Sequence, residues 1–308
     1  MTAARLILKA ALAALPTLLT AHAAPAVSTF GPLRNRAMPR LSGRGRPDHI
    51  ALTFDDGPDP LSTPLFLRLL AERHIRATFF LLGREAQRSP GLVREIAAAG
   101  HEIGVHGWLH RPLVLRGPRA TYADLARARD TVADITGAPT HALPAPYGVM
   151  STAAHLAAHR LGLTPVLWTC WGEDWTARAT PESVHRTVTS DLDGGGTILL
   201  HDSDCTSAPG AWRSALGALP SSSTPASNAA TRSAGCTTTD DPHLAPHRGQ
   251  RCHAYPLTLT GCGTGARTLK IPTPRRQPIR SPSPVAASMF SLLGSNHRTS
   301  APGHRCPE

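Results

Sequence analysis

Ile50-Ala51-Leu52-Thr53-Phe54-Asp55-Asp56-Gly57-Pro58-Asp59 joins an apolar run to two adjacent carboxylates and a Gly-Pro turn. A short run that is nearly continuous in apolar residues reads as a strand covered on both faces, the pattern of a parallel sheet. Similar runs follow at 77–82, 102–105, 142–143, 165–170 and 197–200. Between them, 63–73, 92–99, 122–135, 152–161 and 181–192 place apolar residues three and four apart and read as helices, with one more helix at 211–219. Thr180-Pro181 has the form of an N-cap with proline at the first helical position, and Gly100, Gly137 and Gly162 stand where helix C-caps belong. Strict alternation of strand and helix over residues 48–219 predicts an α/β fold with a parallel sheet, tending to a barrel if its ends close. In such a barrel, function collects at the C-terminal ends of the strands.

The flanks differ from this body. Residues 1–24 carry Arg5 and Lys9, then an apolar stretch without carboxylates, then Ala21-His22-Ala23, and read as a signal peptide that sends the protein out of the cell or into its envelope. Residues 25–47 hold Gly, Pro and Arg without period and read as a linker. Beyond Leu219 the pattern stops, and 220–308 reads as a disordered tail rich in Ser, Thr, Pro, Gly and Arg. The chain carries net charge +11, and that tail, with 10 basic and 3 acidic residues, supplies most of it. The charge is therefore a poor guide to a partner, and with no recognised nucleic-acid motif a nucleic-acid partner is not expected. No run of 18 apolar residues lies in the body, so no stable membrane span is expected once the signal is cleaved. The abrupt loss of period at Pro220 also fits an altered reading frame.

Chemistry-bearing residues gather at the strand ends. Asp55 and Asp56 are neighbours, so their side chains point different ways, and one can serve a metal while the other serves as a base. After the run 102–105 comes His106-Gly107-Trp108-Leu109-His110, whose four-residue spacing brings two imidazoles to one side of a turn; with one carboxylate they make an open metal site. Leu199-Leu200-His201-Asp202 places a histidine at the end of another apolar strand. Each of these alone has a plainer reading: a turn, a filler pair among 16 histidines, a capped strand. Their joint occurrence at the strand ends of one array argues for a site.

These motifs resemble the polysaccharide deacetylases, carbohydrate esterase family four, over residues 48–219. The resemblance implies a distorted, seven-stranded β/α barrel, with one more helix and strand than the pattern shows after Leu219, so that either the barrel closes with fewer strands or its final strand is missing from this chain. It implies that Asp55 is the general base and that Asp56, His106 and His110 hold a divalent metal, with zinc the expected ion. Pro146-Tyr147-Gly148 matches the third motif, with the Tyr147 amide at the oxyanion; Asp174-Trp175 matches the fourth, with Asp174 tuning the catalytic histidine and Trp175 walling the groove. Leu199 and His201 match the fifth, as the acetyl wall and the general acid. The implied activity is removal of N-acetyl groups from N-acetylglucosamine-containing polysaccharide, peptidoglycan or chitin-type, by a monomer. An O-acetyl xylan esterase with the same site and a catalytically impaired carbohydrate-binding relative are the alternatives.

Two departures matter. The third motif begins with an arginine in the family, pairing with the base, and here Pro144 stands in its place; Arg111 or Arg178 would have to supply that charge. Trp171 replaces an aspartate of the fourth motif and reads equally as groove or core. Cys170 and Cys205 both fall on the expected rim and are candidates for a disulfide in an oxidising compartment. Cys236, Cys252, Cys262 and Cys306 lack the spacing of a zinc module.

Overall fold

The computed structural model describes residues 3–219 and one short strand beyond them, Arg232–Ser233. In chain order the elements are α1 (Ala3–Ala23), α2 (Gly31–Ala37), β1 (His49–Asp55), α3 (Thr63–Glu72), β2 (Thr78–Leu81), α4 (Gly83–Arg88), α5 (Pro90–Ala98), β3 (Glu102–Val105), α6 (Pro118–Thr136), β4 (Ala142–Leu143), α7 (Thr152–Arg160), β5 (Thr164–Pro165), β6 (Cys170–Trp171), α8 (Pro181–Asp191), β7 (Thr197–His201), α9 (Trp212–Ala218) and β8 (Arg232–Ser233).

All strand pairs are parallel. The main sheet runs β3-β2-β1-β7-β6, with β8 paired to the start of β1, while β4 and β5 pair only with each other. The α/β fold is therefore present, but the hydrogen-bond ladder does not run round a closed barrel among the described residues. The interruption lies at β4–β5, where each strand offers two residues. The stretch 165–170, expected as one strand, divides into the ends of β5 and β6, and residues 166–169 between them belong to neither strand. The backbone there turns instead toward the N-terminal segment, through the Leu167 amide to the Leu41 carbonyl at 3.0 Å.

Register places the chemistry. Asp55 stands opposite His201 across β1 and β7 and opposite Phe80 across β1 and β2, while Val105 pairs with Leu81. Asp55 and His201 thus end adjacent strands at one edge of the sheet, and His106 follows directly on β3. Phe54, Phe66 and Phe79 pack edge to face and tilted at 5.0 and 5.2 Å in the core beneath them. The expected caps take their places: Gly100, Gly137 and Gly162 all have positive φ, and the Thr180 hydroxyl accepts from the Ser183 amide in a capping box.

Residues 24–42 correct the linker reading. They form a short 3-10 turn (Ala24–Thr29) and α2, and they bury Ser28, Arg34 and Leu41. Arg34 donates to the Ser28 carbonyl at 2.9 Å and to the Trp168 carbonyl at 2.8 Å. A single buried guanidinium bridging two carbonyls orders a segment that has no hydrophobic period to announce it. α1 carries Pro16 within it, and no described helix is long and apolar enough to cross a membrane. β8 falls in the segment expected to lack strands; the rest of the tail, with its four cysteines, lies outside the described residues.

Candidate active site

Asp55 ends β1 in extended backbone, and Asp56 then turns into the left-handed region at φ 73°. Aspartate tolerates that conformation better than most residues. The turn separates the two neighbouring carboxylates, so that they face different partners.

Asp56, His106 and His110 each bring one ligand atom to a point, all within 4.8 Å of one another, and theirs is the only such cluster among the described residues. Asp56 Oδ1 lies 3.7 Å from Nε2 of both histidines and, though fully buried, has no hydrogen-bond partner. A carboxylate oxygen left unsatisfied between two imidazole nitrogens is a donor set that suits a divalent ion such as zinc, so the residues present fit the expected group. Burial, and then the neighbouring His110, push His106 down to about 3, and burial lowers His110 as well, so both rings are in the neutral form that ligates. Burial alone would raise Asp56, but the imidazoles of His110, His201 and His106 and the Thr206 hydroxyl outweigh it and hold the carboxyl below its ordinary value. The His106 ring is oriented by Nδ1 against the Pro144 carbonyl at 3.0 Å. His110 has no such tether: its Nδ1 is buried without a partner, and its ring packs on Tyr147 at 4.3 Å between centroids.

Across from this trio stands His201. Its Nδ1 lies 3.2 Å from Asp174, whose carboxylate also accepts from the His201 backbone amide at 2.8 Å. Desolvation would lower the imidazole, but the Asp174 charge and hydrogen bond, followed by Asp56 and Asp55, raise it to about 10. His201 Nε2 points into the site, 3.9 Å from Asp56 Oδ2. Trp175 stands edge-on to His201 at 5.6 Å, and Leu199 packs with Trp168, Leu167 and Leu41, with Trp171 and Trp175 partly buried against them. Trp171 thus joins this apolar wall. Tyr147 holds a left-handed backbone at φ 61°, an uncommon state for a bulky residue, which turns it out beside His110. The nine residues singled out from the sequence thus lie in one neighbourhood linked by these contacts.

Asp55 has a different environment. It is buried with Oδ1 unpartnered, and Oδ2 is 3.4 Å from His106 Nε2. Burial drives its pKa well above the usual carboxylate range; the His201 charge opposes this, while Asp56, Asp202 and Asp174 add to it. No arginine pairs with it: Pro144 contributes only its carbonyl, and among the described residues neither Arg111 nor Arg178 forms an ion pair with Asp55. Arg111 acts on Asp124 instead.

Four further residues border the site without a role in it from the sequence, where Cys205 reads only as a disulfide candidate. The Thr206 hydroxyl donates to Asp56 Oδ2, and Cys205 Sγ reaches the Asp56 carbonyl at 3.6 Å. Trp168 stands edge-on to His106 at 6.4 Å. Asp202, next to His201, is buried under the first motif, where a Cβ on Gly57 would come within 2.6 Å of its carboxylate oxygens. Only Asp202 has a sequence cue, its place in the fifth motif. The candidate Cys170–Cys205 disulfide is not formed: the Cys170 thiol is buried against the Thr197 carbonyl, and Cys205 Sγ lies 3.6 Å from the Asp56 carbonyl.

The polysaccharide deacetylase profile matches residues 42–166. The peptidoglycan-N-acetylglucosamine deacetylase of Listeria monocytogenes is 34% identical over 159 residues, 52% of this chain, which correspond to only 33% of that protein's length. The chitooligosaccharide deacetylase of Sinorhizobium fredii is 36% identical over 168 residues, covering 54% of this chain and 77% of that one. Among solved structures, the family 4 carbohydrate esterase of Streptomyces lividans, determined with acetate, superposes with a TM-score of 0.50 at 28% identity, covering 55% of this chain and 84% of its own.

Proposed function

The chain belongs to the polysaccharide deacetylase family, and from that premise we propose that it is an exported, metal-dependent hydrolase that removes N-acetyl groups from N-acetylglucosamine-containing polymer of the peptidoglycan or chitin type. The observation that carries this reading is the convergence of an Asp-His-His cluster, a second carboxylate and a protonated histidine at the ends of β1, β3 and β7. Relatives named for peptidoglycan and for chitooligosaccharide substrates support it equally, so the polymer stays open between the two.

Asp56, His106 and His110 would hold the metal. Bound there, a divalent ion supplies Lewis-acid polarisation of the acetyl carbonyl and makes the attacking water more acidic. Asp55 accepts the proton of that water. The Tyr147 amide donates to the developing oxyanion, a fixed dipole worth about 3 to 4 kcal/mol in comparable sites. His201, protonated and held by Asp174, gives its proton to the leaving sugar nitrogen, so that acetate and a free amine result. Trp175 and Leu199 line the acetyl-binding side and keep water from it.

Acetate release from acetylated chitooligosaccharide and from peptidoglycan, with and without chelator, tests this reading; release that persists after chelation removes it. A second reading, a carbohydrate-binding relative with little turnover, is favoured by one observation, the missing guanidinium beside Asp55. Binding of the oligosaccharide without acetate release would select it.

A further inference from the structure

The two histidine ligands of the proposed metal are joined by Gly107, Trp108 and Leu109, and the backbone of this connection is held from two helices. The Gly107 carbonyl accepts from the Gly83 amide at 2.9 Å and the Trp108 carbonyl accepts from the Arg84 amide at 3.1 Å, both at the start of α4. On the other side the Trp108 amide donates to Asp124 Oδ2, from α6, at 2.6 Å. Asp124 is only 6% exposed, and Arg116 reaches its other oxygen at 3.3 Å. Gly107 has φ 86°, and a Cβ there would come within 3.2 Å of Asp124 Oδ2, so the carboxylate sits directly against the connection. His106 has a tether of its own at the Pro144 carbonyl, whereas no polar atom holds the His110 ring at Nδ1. The position of His110 is thus transmitted through the backbone that Asp124 grips.

We propose that Asp124 is a positioning residue for the metal site: its carboxylate, by accepting from the Trp108 amide, sets the separation of His106 and His110 and thereby the affinity for a divalent ion. The proposal rests on the metal-site reading above. A charge-assisted acceptor of this kind is shorter and stronger than a neutral one, and supports behind metal ligands commonly change affinity by about 10- to 100-fold.

The test measures Zn2+ affinity of the full chain by competition with a chromophoric chelator, together with the ligand-field bands of bound Co2+ and the melting temperature without metal. Asp124→Ala is expected to weaken Zn2+ binding by about 10- to 100-fold and shift the Co2+ bands. Arg116→Met removes the ion pair but keeps the acceptor, and is expected to bind within about twofold of the parent although it melts lower. Should Asp124→Ala not fold, Asp124→Asn, which keeps a weaker acceptor, is expected to lose about three- to tenfold. Equal affinity in the Asp124 variants and the parent, or an equal loss in Arg116→Met, overturns the role of Asp124 alone. A parent chain that binds neither ion overturns the metal reading and this proposal together.

Discussion

In one part of the sheet, β1, β2 and β3 form an unbroken ladder, and the residues that follow them bring Asp56, His106 and His110 to within 4.8 Å of one another. In the other part, β4 and β5 touch through two residues each, and the segment after β4 offers Asp55 no charge, only the carbonyl of Pro144 to His106. The three candidate ligands have supports from several segments: Thr206 on Asp56, Pro144 on His106, Asp124 on the connection to His110. Asp55, at the end of β1, is buried with Oδ1 unpartnered and forms no ion pair with an arginine among the described residues. On the proposed roles, holding a metal and moving a proton fall to different residues, so each can be tested apart from the other.

Each side can be attacked in turn. Asp56→Asn or His106→Ala should abolish Zn2+ retention in equilibrium dialysis and lower acetate release by about a thousandfold, the several kcal/mol that Lewis-acid stabilisation supplies; retained metal with normal turnover would dissolve the comparison. His201→Ala should cost about 10²- to 10⁴-fold in kcat while leaving Zn2+ affinity within a few-fold, because it acts on the leaving group.

The pH profile of kcat/KM reads both sides at once. His201 must be protonated to donate, so with its pKa raised to about 10 the activity is kept below that value and lost as pH rises through it. Asp174→Asn removes the charge that holds the imidazole up and should move this alkaline limb to lower pH. Asp55 must be ionised to accept, and its pKa is raised, so activity is lost as pH falls through that raised value. Pro144→Arg should add the missing charge, move the acidic limb to lower pH and raise the rate near neutrality by about tenfold, one pKa unit of base ionisation. The backbone carbonyl that orients His106 survives that exchange. An unchanged acidic limb would show that the base does not need the guanidinium. The smallest effect is expected from Cys205→Ser, within about twofold in acetate release, since a serine hydroxyl can still donate to the Asp56 carbonyl that the thiol reaches at 3.6 Å.

The first motif was legible because an apolar run leads straight into two carboxylates, and the register of β1 with β7 then fixes Asp55 beside His201. β5 and β6 were not, since two-residue strands have no period and the intervening backbone bonds to Leu41. Thr206 escaped for a different reason: it acts from a loop after β7 through one hydroxyl, and nothing in Ser203-Asp204-Cys205-Thr206 marks which hydroxyl will face inward. Asp124 lies in Ala123-Asp124-Leu125-Ala126-Arg127, where an acidic residue on a charged helix reads as solvent-facing; its burial follows from the Trp108 amide beneath it. Backbone groups are the partners that sequence patterns cannot name.

Arg34 has a practical consequence for where this protein can be cut. Its guanidinium fastens residues 24–42 to the carbonyl of Trp168, and Leu41 backs Trp168 and Leu199 from beneath. A truncation beginning at the first strand, near His49, would look harmless by sequence yet uncover the Trp168 indole and remove Leu41 from the apolar cluster that holds Leu199. A cut ahead of Ser28 keeps both ends of the clasp, so the smallest unit that retains it starts some twenty residues before the sheet does.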